Sequence, residues 1–347
     1  FRSMHKSMPW LLGAQFAAGV SDQALLIVVL GVLVQQGSGF WWAPLLKFGF
    51  TSACVVLAPW VGNWVDGGSK ARWMVRTHLL KALAVLALLM GASPVLAFIV
   101  VGCAAAVYSP ARYGWVTEVT NAAALVRANA WLEVGLVGSA VLGTVLGGLL
   151  MSPAWAATVA LAEHVPGAEV LRGFPGFAPA QAAALLLLAL CYGLATCVNQ
   201  RVPCSGWQAN AAQATAHSGR TLVDFVRANR TLWGDMSGGK VSLAATSIFW
   251  GIGAALQMIV LQWATTRLAL PLHQAAYLQG VVAVGMVLGA ALAGRFVAIH
   301  QAHHMLPVGV ALGVLVPIAS LTTHVGVAAA CLALAGATGG FAVIPLN

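Results

Sequence analysis

The chain has 347 residues, 60% of them hydrophobic and only 7% charged, with a mean hydropathy of +0.88. Soluble domains carry about 25% charged residues, so this composition excludes a soluble globular domain and indicates an integral membrane protein. The formal net charge of +9 would suggest a nucleic-acid partner in a soluble chain; in a membrane chain it reflects cations held on one side, and no nucleic acid is expected.

The apolar runs, such as Leu25–Val34 and Ala82–Ala106, are continuous. Strands of a membrane barrel would instead alternate apolar and polar residues in segments of about ten. We therefore expect helices, about ten of them, over residues 9–34, 45–65, 73–91, 94–113, 129–151, 179–200, 241–264, 272–295, 305–322 and 325–347. Two links between them are long. Residues 152–178 hold Pro153, Pro166 and Pro175, and 201–240 are polar and basic.

In the first run, Gly19-Val20-Ser21-Asp22-Gln23-Ala24-Leu25-Leu26 places a carboxylate about 13 residues in, or roughly 20 Å along a helix. That is near the middle of a bilayer core of about 30 Å, where a charge costs at least about 2.5–3.5 kcal/mol to insert. Intramembrane charges usually face a bundle interior or a watery path. Asp22 is thus a candidate site residue; the competing reading is a structural carboxylate paired to a neighbouring helix.

The second run ends in Gly62-Asn63-Trp64-Val65-Asp66-Gly67-Gly68-Ser69-Lys70-Ala71-Arg72. Gly62 is expected to let a neighbouring helix approach closely, and Asp66 to accept from a helix N-terminus or pair with Lys70 and Arg72. Such a cluster could latch a gate. A tight basic turn is the plainer account. His78, near Arg76 and Lys81, is expected at the interface.

In the fifth run Gly135, Gly138, Ser139, Gly143 and Gly147, and in the eighth Gly280, Gly285 and Gly289, have the small-residue spacing that lets helices pack backbone to backbone. Arg220–Trp233 can form an amphipathic helix, with Leu222, Phe225, Val226, Leu232 and Trp233 on one face and Arg220, Asp224, Arg227 and Arg230 on the other. His300, His303 and His304 are expected in a solvated loop.

A weak internal repeat relates the halves at a shift of about 235 residues, matching Gly19-x-x-x-Gln23 to Gly253-x-x-x-Gln257 and Val107–Pro110 to Val343–Pro345. Placing the N-terminus in the cytoplasm puts Arg2, Lys6, Lys70, Arg72, Arg76, Arg112, Arg127, Arg201, Arg220, Arg227, Arg230, Lys240 and Arg295 inside. Only Lys47, Arg172 and Arg267 then lie outside, as positive-inside topology requires. Six cysteines without a CxxC pair argue against a disulfide framework or a zinc site. There is no GxSxG, HExxH or P-loop, so neither an enzyme nor direct use of ATP is expected, and no cofactor or metal.

Gly62–Arg72 resembles the motif between spans two and three of the major facilitator superfamily, with Gly67 standing where that motif is usually basic. Gly19–Leu26, Tyr108–Gly114, Leu125–Asn129 with Glu133, Ser247–Gly251 and Phe341–Asn347 resemble the bacterial lysophospholipid transporter (LplT) family. The resemblance implies an all-α membrane protein with the major facilitator fold, built of two pseudo-symmetric helical bundles. About ten of twelve spans would be present, with the C-terminal end cut short. The bundles would cover 1–200 and, incompletely, 241–347, joined by a cytoplasmic linker over 201–240.

The resemblance further implies a flippase of the bacterial inner membrane that moves lysophosphatidylethanolamine and related lysolipids inward. There an acyltransferase–acyl carrier protein synthetase would reacylate them. For such a headgroup, Asp22 and Gln23 could accept the ammonium and Arg112 could hold the phosphate. Glu118 and Glu133 could line the site or pair with Arg112 and Arg127. Gln257 stands where many members are basic and is a weaker donor. Gly62, Asp66, Lys70 and Arg72 would gate. An ion- or proton-coupled exporter of amphipathic drugs, with Asp22 as the proton site, is the alternative.

Overall fold

The computed structural model describes residues 2–39, 41–120, 122–162, 168–204, 221–234, 239–296, 313–315, 317–318 and 320–343. The described residues form helices, short turns and no strand. The helices are α1 (Arg2–Gln35), α2 (Trp42–Asp66), α3 (Lys70–Leu89), α4 (Pro94–Val119), α5 (Ala122–Leu150) and α6 (Pro153–Ala162). A 3-10 turn at Ala168–Gly173 follows, then α7 (Pro179–Asn199), α8 (Thr221–Gly234), α9 (Gly239–Thr266), α10 (Leu272–Phe296) and α11 (Val325–Val343). The span expected at 305–322 lies largely outside the described residues.

Five of these helices are long and apolar enough to cross a bilayer by length and composition, at Ser7–Gln35, Trp42–Asp66, Pro94–Val119, Pro179–Asn199 and Leu272–Gly289. The link over 152–178 differs from expectation. Residues 153–162 continue as α6, bent 63° from the end of α5. Pro153 explains the start: proline suits a helix's first turn, where its missing N–H has no partner anyway. The apolar Ala154–Ala162 then sustains the helix.

The short links close by glycine. After α3, Gly91 has φ +96°; Ala92 donates to Ala87 O at 3.0 Å and Gly91 to Leu88 O at 3.0 Å. After α1, Gly37 has φ +81° and Ser38 donates to Leu33 O at 2.9 Å. These are helix stops that need a left-handed residue, which only glycine supplies cheaply.

The chain forms two compact units. The first holds residues 1–139 and 149–226; in it α3 packs on α4 and α7, α1 on α7, and α2 on α4. Its core gathers Leu11, Val61, Met74, Val107, Trp115 and Leu132, each under a tenth exposed. The second holds residues 140–148 and 227–347, with α10 packed on α11 and α9 on α10.

Each unit contains a close helix contact of the same kind. Gly102 of α4 lies so close to α2 that an added Cβ would collide with Phe50 O. In the second unit Gly336 of α11 meets Val282 O of α10 in the same way. Gly336 lies 234 residues after Gly102, the shift at which Gly19 matches Gly253, so the repeat extends from sequence to packing.

The glycines of the eighth span divide. Gly280 faces Val145 of α5, whereas Gly285 and Gly289 are pressed against the backbone of α11 at Ala333 and Ala337. On α5, Gly135 and Gly138 face Gln15 and Phe16 of α1, and Gly148 faces His273, Ala276 and Tyr277 of α10.

Candidate functional site

Asp22 sits on α1 in the first unit, its side chain 23% exposed. Both of its oxygens accept from Lys81 Nζ of α3, at 2.9 and 2.6 Å. The Tyr192 hydroxyl of α7 donates to Asp22 Oδ1 at 2.6 Å. Three helices therefore converge on one carboxylate. Lys81 is 3% exposed in its side chain and Tyr192 is fully buried. Removing either charge alone would strand the other, which typically costs about 3–5 kcal/mol for a buried pair. Sequence reasoning named Asp22 and missed Lys81 and Tyr192.

Local structure explains the meeting. From Ser7 to Asp22 is roughly 22 Å along α1 at 1.5 Å per residue, and from Lys70 to Lys81 roughly 16 Å along α3. α2 returns the chain between α1 and α3, so these two run the same way and the two charges come level. Gln23, beside Asp22, is half-buried.

One turn before Lys81, His78 is fully buried, which corrects its expected interfacial place. Its ring lies 4.6 Å from the Tyr108 ring of α4, centroid to centroid. Arg112, one turn beyond Tyr108, is 5% exposed, and its Cζ lies 4.4 Å from the Tyr113 ring centroid and 5.8 Å from that of Tyr108. Both ring nitrogens of His78, Tyr108 Oη and Arg112 Nε are buried without a hydrogen-bond partner among the described residues. Buried polar atoms are nearly always paired, so this group has donor capacity in reserve.

Glu118 goes elsewhere. It pairs with Lys70 Nζ at the start of α3, not with Arg112. Lys70 also meets Asp66 at 3.3 Å, one turn back across the α2–α3 link. Lys70 is 6% exposed and Glu118 13%, whereas Asp66 is 67% exposed. The buried half of the motif cluster is therefore Lys70–Glu118, and Asp66 is its solvated rim. Arg72 is exposed, and a Cβ on Gly62 would meet nothing within 4 Å, so close helix approach does not explain that glycine. The close approach lies at Gly114 instead, where a Cβ would come 3.0 Å from Lys70 Cδ.

Glu133 lies on α5 and Arg127 near its start, but their side chains fall outside what the structure describes. Gln257 on α9 is half-buried in the second unit and its carbonyl accepts from Gln279 Nε2 of α10 at 2.7 Å. His300, His303 and His304 lie outside the described residues. The second unit also holds a cavity of about 420 Å³ lined by Val141, Val145, Tyr277, Val284, Leu288 and Leu334 among others. None of the residues lining it is charged.

No protein-family model matches the chain. Curated relatives do. Proteins named lysophospholipid transporter LplT from Yersinia pestis and Yersinia pseudotuberculosis are 35% identical to it over 346 residues, covering 99% of this chain and 78% of theirs. Among solved structures, a bacterial homologue of the human lysosomal transporter Spinster, inward-facing and occupied, matches with TM-score 0.68 at 14% identity, over 99% of this chain and 73% of that one. A D-xylose–proton symporter matches with TM-score 0.60 at 13% identity, over 96% and 79%. At those identities the likeness fixes the fold, which is that of the major facilitator transporters.

Proposed function

The chain belongs to the lysophospholipid transporter LplT family, and on that premise we propose that it carries lysophosphatidylethanolamine and related lysolipids from the outer to the inner leaflet of the bacterial inner membrane. The observation that carries the reading is identity running over 99% of the chain, so the likeness is not confined to one helix or motif. Movement is by alternating access between two bundles, residues 1–200 and 241–347, joined by a linker over 201–240. The N-terminus is cytoplasmic, from the distribution of Lys and Arg. Inward delivery supplies an acyltransferase that restores the second chain.

The headgroup offers an ammonium and a phosphate. Asp22 takes the ammonium as a charge-assisted pair, with Gln23 beside it. Arg112 holds the phosphate, and its buried Nε–H is a donor already desolvated. Glu133 and Gln257 are further candidate substrate contacts, one in each bundle. Asp66, Lys70, Arg72 and Gly62 gate, with Glu118 acting through Lys70.

The test is inward movement of an acyl-labelled lysophosphatidylethanolamine in proteoliposomes, read as protection of the label from extraction by albumin. Protein should accelerate movement without altering the lipid chemically. Asp22→Asn should slow it at least about tenfold while inserting normally, as expected when a hydrogen bond to a charged group is lost. Normal movement by that variant would remove Asp22 from the headgroup site. Movement that stops when a proton gradient is collapsed would favour an exporter of amphipathic cations.

A further inference from the structure

We infer that the outward face of α3 is a binding site for an anionic phospholipid, whose phosphate sits on Arg72 and Arg76 and whose acyl chain lies along a ladder of exposed apolar side chains. The site is separate from the α1–α3 ion pair, and its ligand is a resident lipid, not a transported one.

Sequence spacing builds this face. Arg72, Arg76, Leu79, Leu83, Leu86 and Met90 follow one another at alternating steps of four and three residues, which keeps them on one side of a helix. Both arginines are exposed. The four apolar side chains, ending with Met90 at the C-terminal cap, are each 40–72% exposed. The rest of the helix surface buries Lys70 and Lys81. α3 therefore turns two cations inward and two outward.

The inward cations take the acids. Lys70 pairs with Asp66 and Glu118, and Lys81 with Asp22, while neither Arg72 nor Arg76 pairs with a carboxylate among the described residues. Arg76 Cζ lies 5.4 Å from the Trp73 ring centroid, a contact that steers the guanidinium and leaves its N–H groups to donate. Gly68 lies between the backbone of Trp64 and the Trp73 ring, so two indoles border the arginines, as in the aromatic belt of a membrane interface. Beyond them, Leu79 to Met90 covers roughly 16 Å of helix, about one leaflet of a bilayer core of about 30 Å. Two cations at headgroup level above an apolar strip one leaflet long match one acidic phospholipid. A soluble phosphate would use the arginines and leave the ladder idle. With both cations unpaired, the site favours net-negative over zwitterionic headgroups by about fivefold per arginine.

The test is photolabelling of the full chain in phosphatidylcholine nanodiscs by a trace of phosphatidylglycerol with a diazirine in its acyl chain, the labelled peptides being mapped by mass spectrometry. Label should collect on residues 79–90. Unlabelled phosphatidylglycerol should displace it at least about tenfold better than phosphatidylethanolamine of the same chains. Glycerophosphoglycerol, the headgroup without chains, should not displace it. Arg76→Gln should cut the α3 label about fivefold, and Arg72→Gln with Arg76→Gln at least about tenfold, whereas Arg76→Lys keeps it. Displacement by the free headgroup would overturn the lipid assignment. Equal displacement by phosphatidylethanolamine, or α3 label unchanged in the double variant, would reduce the face to ordinary lipid contact and overturn the proposal.

If the arginine variants do not fold, Leu83→Asp carries the test from the other end. It keeps both arginines and puts a carboxylate in the ladder, where charge is costly beside hydrocarbon. The α3 label should fall at least about fivefold while label elsewhere on the chain is kept. No fall on α3, or an equal fall over the whole chain, would also overturn the proposal.

Discussion

Glu118 of α4 closes on Lys70 at the first residue of α3, and this pair is more deeply placed than the pair Lys70 makes with Asp66 along the link from α2. The motif after the second span therefore carries two ion pairs of different worth. An exposed i,i+4 pair contributes about 0.3–0.5 kcal/mol, while a buried charge stripped of its partner costs about 3–5 kcal/mol.

The consequence is an ordering of variants. Asp66→Asn should lower stability by less than about 1 kcal/mol. Glu118→Gln should lower it by about 3 kcal/mol, because Lys70, 6% exposed, then loses its buried carboxylate. The double variant Lys70→Met with Glu118→Gln should recover part of the loss, giving a coupling of about 1–3 kcal/mol. Thermal melting in detergent of the unsubstituted protein, Asp66→Asn, Glu118→Gln, Lys70→Met and the double variant checks this. Equal effects of the Asp66 and Glu118 substitutions would show that burial does not decide the latch.

The glycines give a second ordering. Gly102 and Gly336 are pressed against a carbonyl of the partner helix, at Phe50 and Val282, so an added methyl has no room without a backbone shift. Gly102→Ala and Gly336→Ala should each cost about 1–3 kcal/mol from overpacking. Gly62→Ala should be neutral or stabilising by up to about 1 kcal/mol, since open space surrounds it and alanine favours the helix. The same melting assay separates them. Matched losses at Gly102 and Gly336 would also show that the two units use one helix-pair design twice.

Much of this architecture was legible in the chain. Continuous apolar runs gave the helices, and the shift between Gly19 and Gly253 gave the repeat that reappears between Gly102 and Gly336. Asp22 stood out because acids are scarce: there are eight Asp and Glu in 347 residues. Its partner did not stand out. Lys81 lies inside the run expected at 73–91, but it enters the sequence reading only as a neighbour of His78. Matching the depths of Asp22 and Lys81 along α1 and α3 was the signal available. Glu118 was expected to line the headgroup site or to pair with nearby arginines, whereas it meets Lys70, 48 residues away across a helix interface. Pairing between helices is set by rotation about each axis, which a run that is apolar all round does not specify. Gly62 shows the reverse case, a motif position whose glycine has no crowding to explain it.

The linker helix gives the last prediction. α8 spans Thr221–Gly234, close to the expected Arg220–Trp233, and Leu222, Val223, Phe225, Val226 and Trp233 are each 39–57% exposed on it. Leu222, Phe225, Val226 and Trp233 fall on one face at helical spacing, and Asp224 and Arg227 on the other. An apolar face on a link that carries Arg227 and Arg230 suits the surface of a bilayer, where each Lys or Arg near anionic lipid contributes about 1 kcal/mol. A peptide covering residues 219–236 should be unstructured in buffer, because isolated helices of this length are marginal in water. It should gain helical circular dichroism on vesicles containing anionic lipid, and less on zwitterionic ones. About 0.5 M salt should reverse most of the difference by screening. Phe225→Asp should abolish helix formation on both vesicle types, since it places a carboxylate in the face that enters the bilayer. Helicity that ignores lipid charge would assign the binding to the apolar face alone, and a peptide that stays unstructured on every vesicle would remove the membrane as the partner of α8.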